Sequence, residues 1–88
     1  MPIDYDFIEK IEEVGISLFR PTIERGLVYI QLDYTTKIGT RQRYHYPALP
    51  KNAYTIINEL RDRRLIDGRK FLRLIETAKD LERAMLQR

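Results

Sequence analysis

From Val28 to Tyr34 the even positions Val28, Ile30, Leu32 and Tyr34 are apolar or aromatic, while Tyr29, Gln31 and Asp33 between them are polar-tipped. A period of two is that of a strand with one buried face. Thr36-Lys37-Ile38-Gly39 follows as a turn, with Gly39 where a type I turn plus bulge needs positive φ. The returning strand sets Thr40, Gln42, Tyr44 and Tyr46 on one side and Arg41, Arg43 and His45 on the other. The expectation is a hairpin whose wet face carries Tyr29, Gln31, Arg41, Arg43 and His45.

Upstream, residues 4 to 14 predict a short helix. Asp4 is its cap, Phe7, Ile8 and Ile11 share one face, Ile3 and Ile8 form a staple, and Gly15 is its left-handed stop. Ile16 to Arg20 reads as a strand ended by Pro21, and Glu24-Arg25-Gly26 as the turn into the hairpin. Pro47 and Pro50 stop the sheet, and Pro50 suits a first helical turn, where its missing amide proton has no partner. The helix to about Arg64 carries an apolar stripe of Ala53, Ile56, Ile57 and Leu60. After a break at Leu65-Ile66-Asp67-Gly68, Asp67 caps a last helix reaching nearly to Arg88. There Phe71, Leu74, Ala78, Leu81 and Met85 recur at alternating spacings of three and four, a seam that either packs on the domain or joins two copies.

The predicted fold is therefore α+β: an N-terminal helix, a three-stranded antiparallel sheet and two C-terminal helices, in one domain over residues 1–88. With 88 residues and no cysteine, its stability comes from packing or self-association rather than from disulfides or thiolate-bound metal. Met1 to Asp6 lack a basic start followed by an apolar run, and no segment reaches the ~18 uninterrupted apolar residues of a membrane span. Cytoplasmic residence is the corresponding expectation.

Charge sharpens the functional reading. The net charge of +3 resides in the second half: residues 1–44 sum to −1 and residues 45–88 to +4. Arg61, Arg63, Arg64, Arg69, Lys70 and Arg73 bracket the junction of the last two helices. Arginine offers phosphate a planar fork and tyrosine offers bases a stacking surface. Tyr29, Gln31, Arg41, Arg43 and His45, with Arg61, Arg64, Arg69 and Lys70, are thus the candidate nucleic-acid contacts. The competing expectation is a protein-interaction or scaffold module that docks a partner, or a second copy, through Phe71, Leu74, Ala78, Leu81 and Met85. A single histidine, His45, and a single serine, Ser17, on different strands suggest no nucleophile–base pair, and neither a metal motif nor a phosphate-binding glycine loop occurs. No enzyme activity, cofactor or small-molecule substrate is expected.

The run Tyr29 to Tyr34, the segment Gly39 to Arg43 and a helix containing Ala53 and Leu60 resemble the strand, Gly-turn, basic strand and covering helix of the small AP2-like or arm-binding domains of tyrosine integrases. That resemblance covers about a third of the chain and implies that Tyr29, Gln31, Arg41 and Arg43 face DNA in the major groove. The chain departs from it in its N-terminal helix, in Pro47 and Pro50, and in its long last helix. The order helix, three strands, helix is also similar to double-stranded RNA-binding domains, whose basic helix entry is represented only by Lys51.

Overall fold

The computed structural model describes residues 3–18 and 26–86. A single 3-10 turn, Tyr5–Phe7, leads into β1 (Ile8–Leu18), β2 (Val28–Thr36), β3 (Arg41–Ala48), α1 (Pro50–Asp62) and α2 (Gly68–Leu86). The sheet is antiparallel in the order β1-β2-β3.

The N-terminal helix expected over residues 4–14 is a strand. Two register shifts in β1, between Ile8 and Lys10 and between Ile11 and Glu13, each insert an extra residue against β2. They bring Ile8, Ile11 and Val14 to the core side at intervals of three, the interval a helix would also show. The Asp4 side chain caps nothing; its backbone carbonyl accepts the Phe7 amide at 3.1 Å instead. Ile3 lies beside Tyr44 and Tyr46 rather than stapled to Ile8, which opens β1. Gly15 sits within β1 opposite Gln31, not at a helix end. The order that likened the chain to double-stranded RNA-binding domains is thereby lost. The expected strand Ile16–Arg20 survives as the end of β1 to Leu18; Phe19, Arg20, Pro21, Glu24 and Arg25 lie outside the described residues.

The hairpin follows its parity. Val28, Ile30 and Leu32 are fully buried, and the pairs Gln31 with His45 and Asp33 with Arg43 stand on the opposite face. Gly39 has φ +86°, and its amide donates to the Thr36 carbonyl at 2.9 Å. Gly26 likewise has φ +70°.

Both helices lie on one side of the sheet, α2 against β1 and α1 against β2 and β3, and they pack on each other as an antiparallel pair. Ile30, Leu32, Ile57, Leu60, Ile66, Leu74 and Ala78 form the core between the layers. Burying a side chain of the Leu or Ile class stabilises the fold by roughly 1.5–3 kcal/mol, so this cluster is the main stabilising term. The molecule measures 44 × 25 × 16 Å. The thinnest dimension is one sheet and one helix layer, so among the described residues nothing covers the outer sheet face.

Between the helices the chain turns on a C-terminal cap of the Schellman kind. The Leu65 amide donates to the Leu60 carbonyl and the Arg64 amide to the Arg61 carbonyl, both at 2.9 Å. The left-handed residue this cap requires is normally glycine. Here it is Arg64, at φ 60°, the one positive-φ residue other than glycine among those described. Asp67 then caps α2, its Oδ1 accepting the Lys70 amide at 2.7 Å.

Candidate nucleic-acid interface

Two surfaces gather the candidate residues, and their electrostatics differ. On the outer sheet face Arg41, Arg43 and His45 are exposed, with Tyr29 and Gln31 half-buried beside them. The Tyr29 and His45 rings lie 5.8 Å apart at 36°. Gly15, across from Gln31, leaves a low floor there: a Cβ built on it meets nothing within 4 Å. This half of the face is free of carboxylates and partly aromatic.

The other half is acidic as much as basic. Arg43 Nε donates to Asp33 Oδ1 at 2.7 Å, and Gln31 Nε2 donates to Asp33 Oδ2 at 3.3 Å. The hydrogen bond from Arg43 is the main reason the Asp33 carboxyl is held below the usual range, and Asp33 in turn raises the Arg43 guanidinium. Glu12 and Glu13 line the same cleft of about 380 Å³ with Asp33, Arg41 and Arg43. Asp33, Glu12 and Glu13 are not among the candidates the sequence offers, and the expected helix over residues 4–14 conceals the two glutamates; once β1 pairs with β2, Glu13 stands opposite Asp33.

The junction of α1 and α2, here termed the elbow, divides its cations differently. Arg63 is occupied: its Nε donates to Glu59 Oε1 at 2.6 Å, its Nη1 to Asp6, and its guanidinium lies 5.2 Å from the Tyr5 ring centre. Arg61 donates to Asp62 and sits over the Phe71 ring at 4.3 Å. By contrast Arg64, Arg69, Lys70 and Arg73 form no ion pair among the described residues, and neither does Arg41. Arg64, Arg69 and Arg73 are exposed and Lys70 is half-buried.

The elbow and the β2–β3 hairpin share one end of the molecule. Asp6 pairs with Arg63 at the end of α1, and the carbonyl of its neighbour Phe7 accepts the Lys37 amide of the hairpin at 3.0 Å. Lys37 thus lies at the elbow end of the sheet, while Arg41 stands with Arg43 on the outer sheet face, away from the helices that carry Arg64. The opposite end, where the Tyr54 hydroxyl donates to Glu82 at 3.3 Å, closes the helix pair.

The seam on α2 is largely consumed within the domain. Leu74 and Ala78 are 6% and 1% exposed in the core, while Phe71, Leu81 and Met85 are half-buried. Leu72, off the seam, is 60% exposed. Among the described residues no cluster of three or more His, Asp or Glu is arranged to hold a metal ion, and no helix is long and apolar enough to cross a membrane. No protein-family model matches the chain, and comparison with curated proteins and with solved structures returns no match.

Proposed function

We propose that this domain binds nucleic acid, DNA in the first instance, through the cationic end formed by the elbow and the adjoining hairpin. Arg64, Arg69, Lys70 and Arg73 supply phosphate contacts, and Lys37 and Arg41 of the adjoining hairpin add to the positive charge of that end. The observation that carries the reading is Arg64. A left-handed backbone strains every residue with a Cβ by about 1–2 kcal/mol, and glycine would relieve it. An exposed cation, without an ion pair among the described residues, stands there instead. Strain retained at an exposed charged position points to use of that charge.

The outer sheet face is the secondary surface. Its Arg43 is already paired, its cleft is shared with three carboxylates, and its aromatic half suits stacking more than phosphate. The alternative, a scaffold that self-associates through α2, has less support, since the two central seam residues are already buried in the core.

Fluorescence anisotropy of labelled duplex DNA, duplex RNA and single strands at 50 and 200 mM salt tests the reading. Replacing Arg64, Arg69 and Arg73 together with alanine is expected to weaken binding at least tenfold and to reduce the slope of log K against log salt by two to three, roughly one per lost phosphate contact. Replacing Arg41 and Arg43 is expected to do less. Full-strength binding by the triple variant refutes the elbow as the contact surface.

A further inference from the structure

Ile38 occupies the tip of the β2–β3 turn with 73% of its surface exposed, the largest exposure of any described large hydrophobic residue. A lone exposed aliphatic residue is ordinary on a protein surface. The setting of Ile38 is not. Short hairpin turns favour Gly, Asn and Asp at their tips, residues that suit the backbone and the water around it; a β-branched apolar residue gains neither there.

The tip is also held rigidly. The Thr36 amide donates to the Thr40 carbonyl at 2.8 Å, the Gly39 amide to the Thr36 carbonyl at 2.9 Å, and the Lys37 amide to the Phe7 carbonyl at 3.0 Å. The Thr36 and Thr40 hydroxyls lie 2.6 Å apart, and Thr36 itself is 1% exposed. Ile38 therefore projects from a turn anchored in the core. Phe7, 38% exposed, backs the turn, its carbonyl accepting the hydrogen bond from the Lys37 amide. Lys37 precedes Ile38 directly, Arg41 opens the strand that follows, and neither forms an ion pair among the described residues.

Resting on the nucleic-acid reading above, we infer that the hairpin tip is a wedge: Ile38 enters a base step of duplex DNA from the minor groove while Lys37 and Arg41 hold the phosphates on either side. Apolar wedges of this kind partly unstack one step and kink the duplex by tens of degrees, and the bend brings more phosphate toward the cations behind it. The charge around Ile38 favours this occupant over an apolar protein pocket, where Lys37 and Arg41 would be desolvated without partners. The elbow cations, at the same end of the molecule, would receive the bent flank.

The test uses the full chain and a 25-base-pair duplex carrying a fluorescent donor and acceptor at its two ends. Bound wild-type protein is expected to shorten the end-to-end distance. Ile38→Ala is expected to remove most of that change at saturation while weakening binding less than about tenfold, and Ile38→Leu to restore it. Binding with no change in distance, or equal bending by Ile38→Ala, overturns the wedge and leaves the nucleic-acid reading standing. No binding to any duplex overturns both. A parallel arm uses vesicles of phosphatidylserine and phosphatidylcholine in a 1:3 ratio; Ile38-dependent vesicle binding without DNA bending assigns the tip to a lipid surface and overturns the wedge.

Discussion

Arg43 and Asp33 face each other across the β2–β3 ladder, with Nε 2.7 Å from Oδ1, at the centre of the outer sheet face. The pair ties the sheet's cation to the sheet's own acid, and it makes part of the fold's stability depend on the ionisation of Asp33.

The direction of that dependence follows from the depressed Asp33 carboxyl. A group whose folded pKa lies below its unfolded value of about 3.9 contributes stability above that value and loses it as pH falls through the folded one. Asp33→Asn is therefore expected to lower Tm modestly at pH 5 to 7 and to show a shallower fall of Tm between pH 4 and 2. Parallel acid limbs in the two proteins would show that the pair adds nothing to folding.

Arg64→Gly separates stability from function. Relief of the left-handed strain is expected to raise stability by about 1 kcal/mol, since glycine adopts this backbone freely. The same change is expected to weaken DNA binding. A urea titration checks the first outcome and anisotropy the second; a destabilised Arg64→Gly protein would mean that the side chain, rather than its absence, holds the elbow.

At Gly39 the cost of a side chain comes from the backbone alone, because a Cβ built there meets nothing within 4 Å while φ is +86°. Gly39→Ala is expected to cost about 1–2 kcal/mol. Urea unfolding with an unchanged m-value would record it.

Leu60 lies at 0% exposure in the core and also lends its carbonyl to the cap at the elbow. Leu60→Ala is expected to cost about 2–5 kcal/mol, a large fraction of the roughly 5–15 kcal/mol that holds a small domain together. A loss below 1 kcal/mol by urea denaturation would show that the helix pair closes over the cavity.

The sequence was most legible where one local rule acted alone. Alternation from Val28 to Tyr34, the glycine of the Thr36–Gly39 turn, Pro50 at the start of α1 and Asp67 at the cap of α2 each fix one backbone feature, and each appears in the structure. β1 was misread because two bulges give a strand the apolar spacing of a helix, and only pairing with β2 reveals them. The candidate cations were all visible as residues, and their outward orientation on β3 followed from parity. Which of them stay unpaired was not legible: Asp33 meets Arg43 across ten residues of chain and Asp6 meets Arg63 across fifty-seven. Nor did the pattern reveal the strain at Arg64, since only the assembled elbow forces that residue into the left-handed region.

The two borders of the sheet are unequally protected. β1 is buckled by two irregularities, whereas β3 pairs with β2 in unbroken register along its eight residues and runs through Pro47, opposite Tyr29, where the sequence predicts the sheet to stop. Among the described residues no strand pairs with the far side of β3, so its hydrogen-bonding groups form a straight template beside its exposed arginines. Accretion of further strands in concentrated or high-salt solution, where guanidinium repulsion fades, is therefore expected at this border rather than at the other.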